Sequence, residues 1–242
     1  MTMQDRRTAC VFGAGGGIGG ALVRALAARE DIALVHAGSR RAPANGPKVR
    51  PFHFDLTDEA SIAVAAATMA HDPPEIVIVA TGALAFADGA GPEKSLGAID
   101  PVRMANLFAL NTIGPAMIAK HIVPLLRRDR PAVFAVLSAR VGSIGDNRLG
   151  GWHSYRASKA ALNMLVRTIA VELGRTHPQA VLVALHPGTV DTPLSRPFQR
   201  NLRDGQLTTS EQAAAHLLSV IDSLTPADSG GFFAWDGQPI AF

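Results

Sequence analysis

The chain has 242 residues, of which 48% are hydrophobic and 18% charged, and its formal net charge is +3. This composition is sufficient for a sizeable core in one large domain or two small ones. No stretch of about 18 apolar residues occurs, which excludes a transmembrane helix, and we expect no membrane partner. The arginines are scattered and no nucleic-acid-binding motif is present, so we expect no nucleic-acid partner either.

The cysteine and histidine content limits the chemistry further. Cys10 is the only cysteine and lies in the first predicted strand, so a disulfide framework is impossible and a reducing, cytoplasmic location is expected. The eight histidines contain no pair at the spacing of metal ligands on a helix, and we expect no metal site. The apolar part of the N-terminal segment is too short and too rich in glycine for a signal peptide.

A glycine-rich loop follows the first predicted strand. Residues 8–12 form a short apolar run, the segment 13–20 contains six glycines, and residues 21–27 have a helical pattern. This arrangement is typical of a dinucleotide site, because the bare backbone approaches a pyrophosphate and the helix N-terminus attracts its charge. A plain strand-to-helix turn is the alternative. Two registers of the glycine motif fit, using either Gly15, Gly17 and Gly20 or Gly13, Gly17 and Gly19.

The residues after the second predicted strand indicate which dinucleotide is bound. That strand covers residues 32–37, and Ser39, Arg40 and Arg41 follow it, about 20 residues past the glycine loop. An acidic residue here would hold the ribose 2′-hydroxyl of NAD, whereas arginine matches a phosphate in bidentate geometry. We therefore predict a preference for NADP(H), carried by Ser39 and Arg40 with Arg41 in support, and NAD(H) stays open as a second cofactor. A solvated basic turn is the alternative.

The remaining elements alternate between strands and helices. Further strands are predicted at 49–54, 75–80, 132–137, 180–185 and 230–235. Further helices are predicted at 59–70, at 101–128, around Tyr155 and at 211–224, with Thr57 or Asp58 and then Ser210 as caps. Pro115 predicts that the long helix bends or restarts there. The alternation predicts an α/β fold with a doubly wound parallel sheet of about seven strands, helices on both faces, in a single domain over residues 1–242.

One predicted helix carries a tyrosine and a lysine four residues apart. Tyr155 is the only tyrosine, and Lys159 lies one turn later, so both side chains leave the same face. A neighbouring ammonium favours the phenolate, so we expect Lys159 to lower the pKa of Tyr155 and the pair to exchange protons near neutral pH. The alternative is a core tyrosine beside a lysine that extends toward solvent.

Two further polar residues stand out. Asp55 follows the third predicted strand, at the edge where open α/β sheets bind ligands, although it could simply cap a loop. Asn111 lies among apolar residues of the long helix, where a buried amide must be hydrogen-bonded. The alternative for Asn111 is a structural bond to a carbonyl that the following proline leaves free.

Together these features resemble the short-chain dehydrogenase/reductase family. They occur in one order over the chain from Thr8 to Phe242, and the Tyr–Lys pair combined with the glycine loop is their specific part. The loop from Gly142 toward Tyr155 resembles the subgroup of the bacterial C-factor protein and insect sniffer-type carbonyl reductases. The resemblance implies a Rossmann fold and a homodimer or homotetramer paired through two long helices. The motif residues are Gly13, Gly17, Gly19, Asp55, Asn111, Ser138, Tyr155, Lys159, Pro187 and Gly188.

The resemblance also implies residue roles. Tyr155 would be the general acid in carbonyl reduction or the base in alcohol oxidation. Lys159 would hold the nicotinamide ribose, and Asn111 would position a water that connects Lys159 to solvent. Together with Ser39 and Arg40, and besides Tyr155 and Lys159 themselves, the predicted cofactor contacts are Gly13, Gly15, Gly17, Ile18, Gly19, Asp55, Leu56, Ala80, Thr81, Gly82, Pro187, Gly188, Thr189, Val190 and Thr192.

Two positions depart from the family pattern. The family usually has two serines after the fifth strand, and the second binds the substrate carbonyl, but here Ala139 follows Ser138. The catalytic hydroxyl would come from Ser138 or from Ser143, and we favour Ser138. The family's Asn-Asn-Ala-Gly turn is replaced by a turn beginning at Ala80, so Thr81 must supply any side-chain hydrogen bond there.

The sequence therefore predicts an NADPH-dependent reductase of a small ketone or aldehyde, with a carbonyl or alcohol compound as its partner. A non-catalytic dinucleotide-binding sensor is the alternative, but it would not need the Tyr–Lys pair. A Rossmann-like methyltransferase would want an acid where Arg40 stands. The substrate pocket is predicted among Leu84, Phe86, the loop 140–153 with Trp152, and the segment 194–198.

Overall fold

A parallel sheet forms the centre of the structure, a computed structural model that describes residues 6–41, 46–85, 89–202 and 205–242. The strands are β1 Arg7–Phe12, β2 Ile32–Ser39, β3 Val49–His53, β4 Ile76–Val79, β5 Ala132–Leu137, β6 Ala180–His186, β7 Thr189–Val190, β8 Leu207–Thr208 and β9 Phe232–Ala234. Seven strands form this sheet in the order β3-β2-β1-β4-β5-β6-β9, with all neighbouring pairs parallel, and β7 and β8 form a separate small sheet. The predicted parallel sheet of about seven strands is therefore confirmed.

Helices cover both faces of the sheet. The α-helices are α1 Gly17–Ala28, α2 Glu59–Met69, α3 Pro101–Phe108, α4 Gly114–Ile122, α5 His153–Leu173 and α6 Ser210–Ser223. In β4, alternate side chains point to opposite faces, so Val77 joins one core layer and Ile78 the other. The first layer includes residues of α2, α4 and α5, and the second includes residues of α1 and α6. Burial on both faces explains why β4 is apolar throughout.

The N-terminal cap of α2 agrees with the sequence prediction, whereas the cap of α6 differs from it. Asp58 begins α2, and its carboxylate accepts from the Ala60 N–H at 3.0 Å, as one of the two predicted caps. The predicted cap Ser210 is wrong, because Thr209 caps α6. The Thr209 hydroxyl accepts from the Gln212 N–H at 3.1 Å, and the Gln212 amide oxygen accepts from the Thr209 N–H at 2.9 Å. This reciprocal pair requires a glutamine or glutamate three residues after the cap, which Thr209 has and Ser210 lacks.

The predicted long helix at 101–128 is divided. A π-helical turn, Ala109–Ile113, separates α3 from α4, and Pro115 lies in the first turn of α4. A proline ring would clash with the carbonyl four residues earlier in a continuous α-helix, and here that residue is Asn111. The restart predicted near Pro115 is confirmed, and the wider turn places Asn111 in the interior.

The carboxyl ends of the parallel strands meet along one edge of the sheet. Strand order reverses between β1 and β4, and a ligand crevice is expected outside that point in folds of this type. The glycine loop, the turn at Ala80, Ser138 and Pro187 follow β1, β4, β5 and β6 respectively, so the fold brings all four to this edge. Among the described helices, none is long and apolar enough to cross a membrane.

Candidate active site

A cleft of about 480 Å³ lies at this edge, and Tyr155 and Ser138 are in its wall. The indole of Trp152 packs edge-on against the Tyr155 ring, with centroids 6.2 Å apart, and against Phe198 at 5.1 Å. The predicted pocket residue Phe86 lies outside the described residues. The other predicted substrate-pocket residues that line the cleft are Leu84, Leu194, Ser195, Phe198 and, from the loop 140–153, Arg140, Val141, Asp146, Arg148, Leu149 and Trp152.

Tyr155 and Lys159 lie on the first turns of α5 and are 8% and 3% exposed. The Lys159 ammonium donates to the Leu137 carbonyl at 2.9 Å, which anchors it to the end of β5. Burial raises the pKa of Tyr155 to about 12 and lowers the pKa of Lys159 to about 8. The predicted lowering of the Tyr155 pKa by Lys159 is not seen among the chain's own residues, because burial is the only cause of the shift and it raises the pKa.

Of the two candidate serines, only one lines the cleft. Ser138 is 4% exposed, and its hydroxyl donates to the Asn163 side-chain oxygen at 2.6 Å. Ser143 is also buried, but its hydroxyl accepts from the Asp146 N–H at 3.1 Å and does not line the cleft. The structure thus brings Ser138 together with Tyr155 and leaves Ser143 in a loop contact.

Asn111 is fully buried in the π-helical turn. Its side-chain oxygen accepts from the Ala83 N–H at 2.8 Å, and its amide donates to the Ala83 carbonyl at 2.8 Å and to the Ser158 hydroxyl at 3.1 Å. A Cβ atom on Gly82 would lie 3.3 Å from the Asn111 oxygen and 3.4 Å from the Lys159 nitrogen. Asn111 therefore ties the turn after β4 to α5, and Gly82 keeps the space between Asn111 and Lys159 open.

The glycine loop adopts one of the two registers that the sequence allowed. A Cβ atom on Gly13, where φ is +96°, would lie 2.8 Å from the Ala80 carbonyl oxygen, and one on Gly19 would lie 2.1 Å from the Gly13 carbonyl. A Cβ on Gly17 would lie 2.8 Å from the Thr192 methyl, whereas one on Gly15 finds only a 3.4 Å contact. The glycines that packing requires are therefore Gly13, Gly17 and Gly19.

The end of β2 places Ser39 and Arg40 beside this loop. Ser39 is buried against Gly15, and its hydroxyl donates to the Arg41 carbonyl, while the Arg40 side chain is exposed. Asp55 accepts from the N–H and the hydroxyl of Thr57 at 2.8 and 2.7 Å, so it also has the loop-capping role. These bonds, and then the charge of Arg40, lower the pKa of Asp55, which places Arg40 near it.

Two more predicted cofactor segments differ in their contacts. The buried Thr81 hydroxyl has no hydrogen-bond partner among the described residues, so the chain leaves this predicted donor free. Leu56 packs against Gly114 at the start of α4 and against the main core. The predicted cofactor contacts that line the cleft are Ile18, Pro187, Gly188, Thr189, Val190 and Thr192.

A buried carboxylate that the sequence analysis missed begins the helix of Tyr155. Helix α5 has no side-chain cap of its own, and Trp152 before it has a left-handed φ of 51°. Glu93, 4% exposed, instead accepts from the Ser154 N–H at 3.2 Å and from the Ser154 hydroxyl. Negative charge at a helix N-terminus is favourable. Because Glu93 comes from a distant loop, no local pattern in the sequence identifies it.

His186 is a second cleft residue to which the sequence analysis gave no role. It ends β6, and its buried Nδ1 has no partner among the described residues. Burial, followed by the charge of Arg140, lowers its pKa to about 4, so the ring is neutral at neutral pH. In the described part of the chain, no group of three or more His, Cys, Asp or Glu residues is arranged to hold a metal ion.

Comparison with known proteins identifies the class. The short chain dehydrogenase family model matches residues 7–203, and the chain belongs to this family. The predicted family and the predicted oxidoreductase class are confirmed.

Individual relatives are consistent with this class. The chain is 35% identical to 1-hydroxy-2-glutathionyl-2-methyl-3-butene dehydrogenase of Rhodococcus sp. (strain AD45), over 95% of this chain and 97% of that one. It is 37% identical to C-signal of Myxococcus xanthus over 60% of this chain and 82% of that one. Among solved structures, NADPH-bound carbonyl reductase from chicken fatty liver is 27% identical, with a TM-score of 0.83 over 98% of this chain and 94% of that one.

Proposed function

We propose that this chain reduces a small ketone or aldehyde to an alcohol with NADPH, and that Tyr155 is the general acid. The observation that carries the proposal is the buried Tyr155 phenol in the cleft wall beside Ser138. Because burial raises the Tyr155 pKa to about 12, the phenol holds its proton at neutral pH. This is the form that donates in carbonyl reduction, whereas alcohol oxidation needs the phenolate.

The chain fits NADP(H) in two places. Helix α1 starts at Gly17 without a side-chain cap, so its first N–H groups and the bare glycine loop suit a pyrophosphate. At the end of β2, Ser39 provides a hydroxyl, and the following Arg40 and Arg41 provide guanidinium groups and no carboxylate, which suits a ribose phosphate. The chicken reductase, which binds NADPH, supports this choice.

When bound, the nicotinamide supplies the hydride, and the chain's own residues orient the substrate and move the proton. Tyr155 gives its proton to the carbonyl oxygen, and Ser138 exchanges its bond to Asn163 for one to the same oxygen. Lys159 uses one of its three N–H donors on Leu137, which leaves two for ribose hydroxyls. A Lys159 pKa of about 8 keeps the ammonium charged at neutral pH.

The direct test of this proposal is to measure NADPH oxidation, from the loss of NADPH absorbance, across a panel of ketones, aldehydes and quinones. We expect turnover with at least one carbonyl class and a higher kcat/KM with NADPH than with NADH. Absence of turnover across the panel, with NADPH binding retained in a fluorescence titration, would contradict the reductase proposal. It would favour the sensor alternative, toward which the similarity to C-signal points.

A second candidate activity comes from the Rhodococcus relative, whose name describes oxidation of a glutathionyl alcohol. If this chain shares that direction, NADP⁺ reduction with a hydroxylated glutathione conjugate would exceed carbonyl reduction at neutral pH. The two directions should therefore be compared at equal enzyme concentration.

We also propose that the chain forms a homodimer or homotetramer through the helical region of α3 and α4 and through α5. Exposed apolar side chains on these helices support this: Val102 is 68%, Met164 is 65% and Val171 is 54% exposed. Light scattering coupled to gel filtration tests it, and a monomer at assay concentration would contradict it.

A further inference from the structure

We propose that the cleft selects substrates that carry a carboxylate or similar anionic group, bound by Arg148 and Arg156; this inference rests on the proposed reductase function. Three arginines line the cleft, against one acidic residue, Asp146. Arg140 pairs with Asp146 at 3.3 Å. Over the described ranges, no acidic group lies within ion-pair distance of the other two guanidiniums, so two positive charges remain without an acidic partner.

Arg156 is a fixed positive charge next to the proposed proton donor. Its guanidinium is half-buried, and it donates to the Gly151 carbonyl at 3.0 Å and to the Val141 carbonyl at 3.2 Å. These acceptors are neutral, so they hold the guanidinium in place without cancelling its charge. A guanidinium has five N–H donors, and those not used by the carbonyls are sufficient for a carboxylate.

Arg148 adds a second charge from the loop that precedes α5. Its side chain is exposed, and it has no ion-pair or hydrogen-bond partner within the ranges that the structure describes. A cleft with a net positive rim attracts anionic substrates and raises their local concentration.

The rest of the cleft wall is apolar. Trp152 and Phe198 form an aromatic corner with ring centroids 5.1 Å apart, and Leu149 and Leu194 are exposed nearby. An apolar wall and a cationic rim together fit a substrate with an apolar body and an anionic end. The class of substrate inferred is therefore an aldehyde or ketone that also bears a carboxylate.

Paired substrates test this inference. Initial rates with para-formylbenzoate and with its neutral methyl ester would be measured for wild type, Arg148→Gln and Arg156→Gln. Arg128→Gln, an exposed arginine between α4 and β5, is the control for an equal change of charge away from the cleft. We expect wild type to prefer the carboxylate in kcat/KM, and each cleft variant to lose about five-fold of that preference, while the control keeps it.

Arg156→Lys separates charge from loop structure. It removes the guanidinium bonds to Gly151 and Val141 but keeps the positive charge, so we expect it to retain most of the preference that Arg156→Gln loses. Added salt should reduce the preference in wild type, because exposed charges are screened. Equal kcat/KM for acid and ester, or a ratio unchanged in both glutamine variants, would overturn the inference.

Binding distinguishes failure of this inference from failure of the reductase proposal. Benzoate and neutral benzamide would be titrated calorimetrically into the protein–NADPH complex. Tighter binding of benzoate that weakens in Arg148→Gln and Arg156→Gln supports the anion site, even if neither aldehyde is reduced. Failure of both aldehydes to react would count against the reductase alone, whereas benzoate that binds no tighter than benzamide would refute the anion site.

Discussion

The hydroxyl of Ser138 donates a 2.6 Å hydrogen bond to the side-chain oxygen of Asn163, one turn beyond Lys159 on α5. This bond joins the end of β5 to the helix that carries Tyr155. A serine hydroxyl has a single proton, so Ser138 must exchange this partner before it donates to a substrate carbonyl. Asn163 thus fixes the side chain that the cleft offers as a second donor.

Ser138→Ala is expected to lower kcat by about two to three orders of magnitude, the effect of removing one donor from an oxyanion site. Ser143→Ala is the matched control, because Ser143 is equally buried but contacts only its own loop. It should change kcat by less than about three-fold. Steady-state kinetics with one carbonyl substrate measures kcat for both variants. A larger loss of kcat in Ser143→Ala than in Ser138→Ala would reverse the assignment of the two serines.

Glu93→Ala is expected to destabilise the protein by about 2 kcal/mol, because it leaves the Ser154 N–H and hydroxyl buried without an acceptor. It should also lower kcat, since Glu93 fixes the start of the Tyr155 helix, whereas Glu93→Gln keeps an acceptor and should retain most activity. Chemical denaturation and kinetics are the measurements.

The control is Asp58→Ala, which removes the cap of α2 at a distance from the cleft. It should cost about 1 kcal/mol of stability and leave kcat unchanged. If Glu93→Ala and Asp58→Ala reduce stability alike and neither affects kcat, Glu93 has no positioning role.

Lys159→Met is expected to abolish activity and yet raise the free energy of unfolding at neutral pH by about 2 kcal/mol. Burial lowers the folded pKa of Lys159 from 10.5 to about 8. The ammonium therefore costs about 3 kcal/mol below pH ~8, and the lost bond to Leu137 offsets about 1 kcal/mol.

The pH dependence has a definite sign. Between the folded and unfolded pKa values the folded protein binds fewer protons, so wild-type stability rises with pH and the advantage of Lys159→Met shrinks. Tyr155 opposes this trend only above its ordinary value of 10.0. Denaturation at about pH 7 and about pH 9.5 measures the difference, and an equal stability gap at both would show that Lys159 is not titrating as described.

Arg40→Gln is expected to weaken NADPH binding by about ten-fold and to leave NADH binding nearly unchanged, because it removes a charge-assisted partner of the extra phosphate. Arg41→Gln should have a smaller effect, since Arg41 has only a supporting role in the proposal. Fluorescence titration with both dinucleotides is the measurement. Equal weakening for NADPH and NADH would mean that Arg40 does not read the phosphate.

Local patterns in the sequence predicted the elements whose cause is local. The apolar runs identified the buried strands, and Tyr155 and Lys159 share a helix face because of their spacing alone. Features that depend on tertiary contacts were missed or wrong. Glu93 reaches α5 from a distant loop, and the Ser138–Asn163 bond requires the packing of β5 on α5.

The raised pKa of Tyr155 was missed for the same reason. Spacing suggested an effect of Lys159, but the desolvation that raises the pKa depends on how deeply the packed core covers the phenol. At the start of α6 the error was local, because the reciprocal role of Gln212 with Thr209 was not recognised.

Tyr155→Phe tests the proposed proton donor most directly, assayed by NADPH oxidation beside wild type with the best carbonyl substrate of the panel. Phenylalanine keeps the ring that packs against Trp152, so folding and NADPH binding should be retained. We expect kcat to fall by about three orders of magnitude, with the NADPH dissociation constant changed by less than about two-fold. A variant that reduces the carbonyl at a rate close to wild type would contradict the role of Tyr155 as the proton donor.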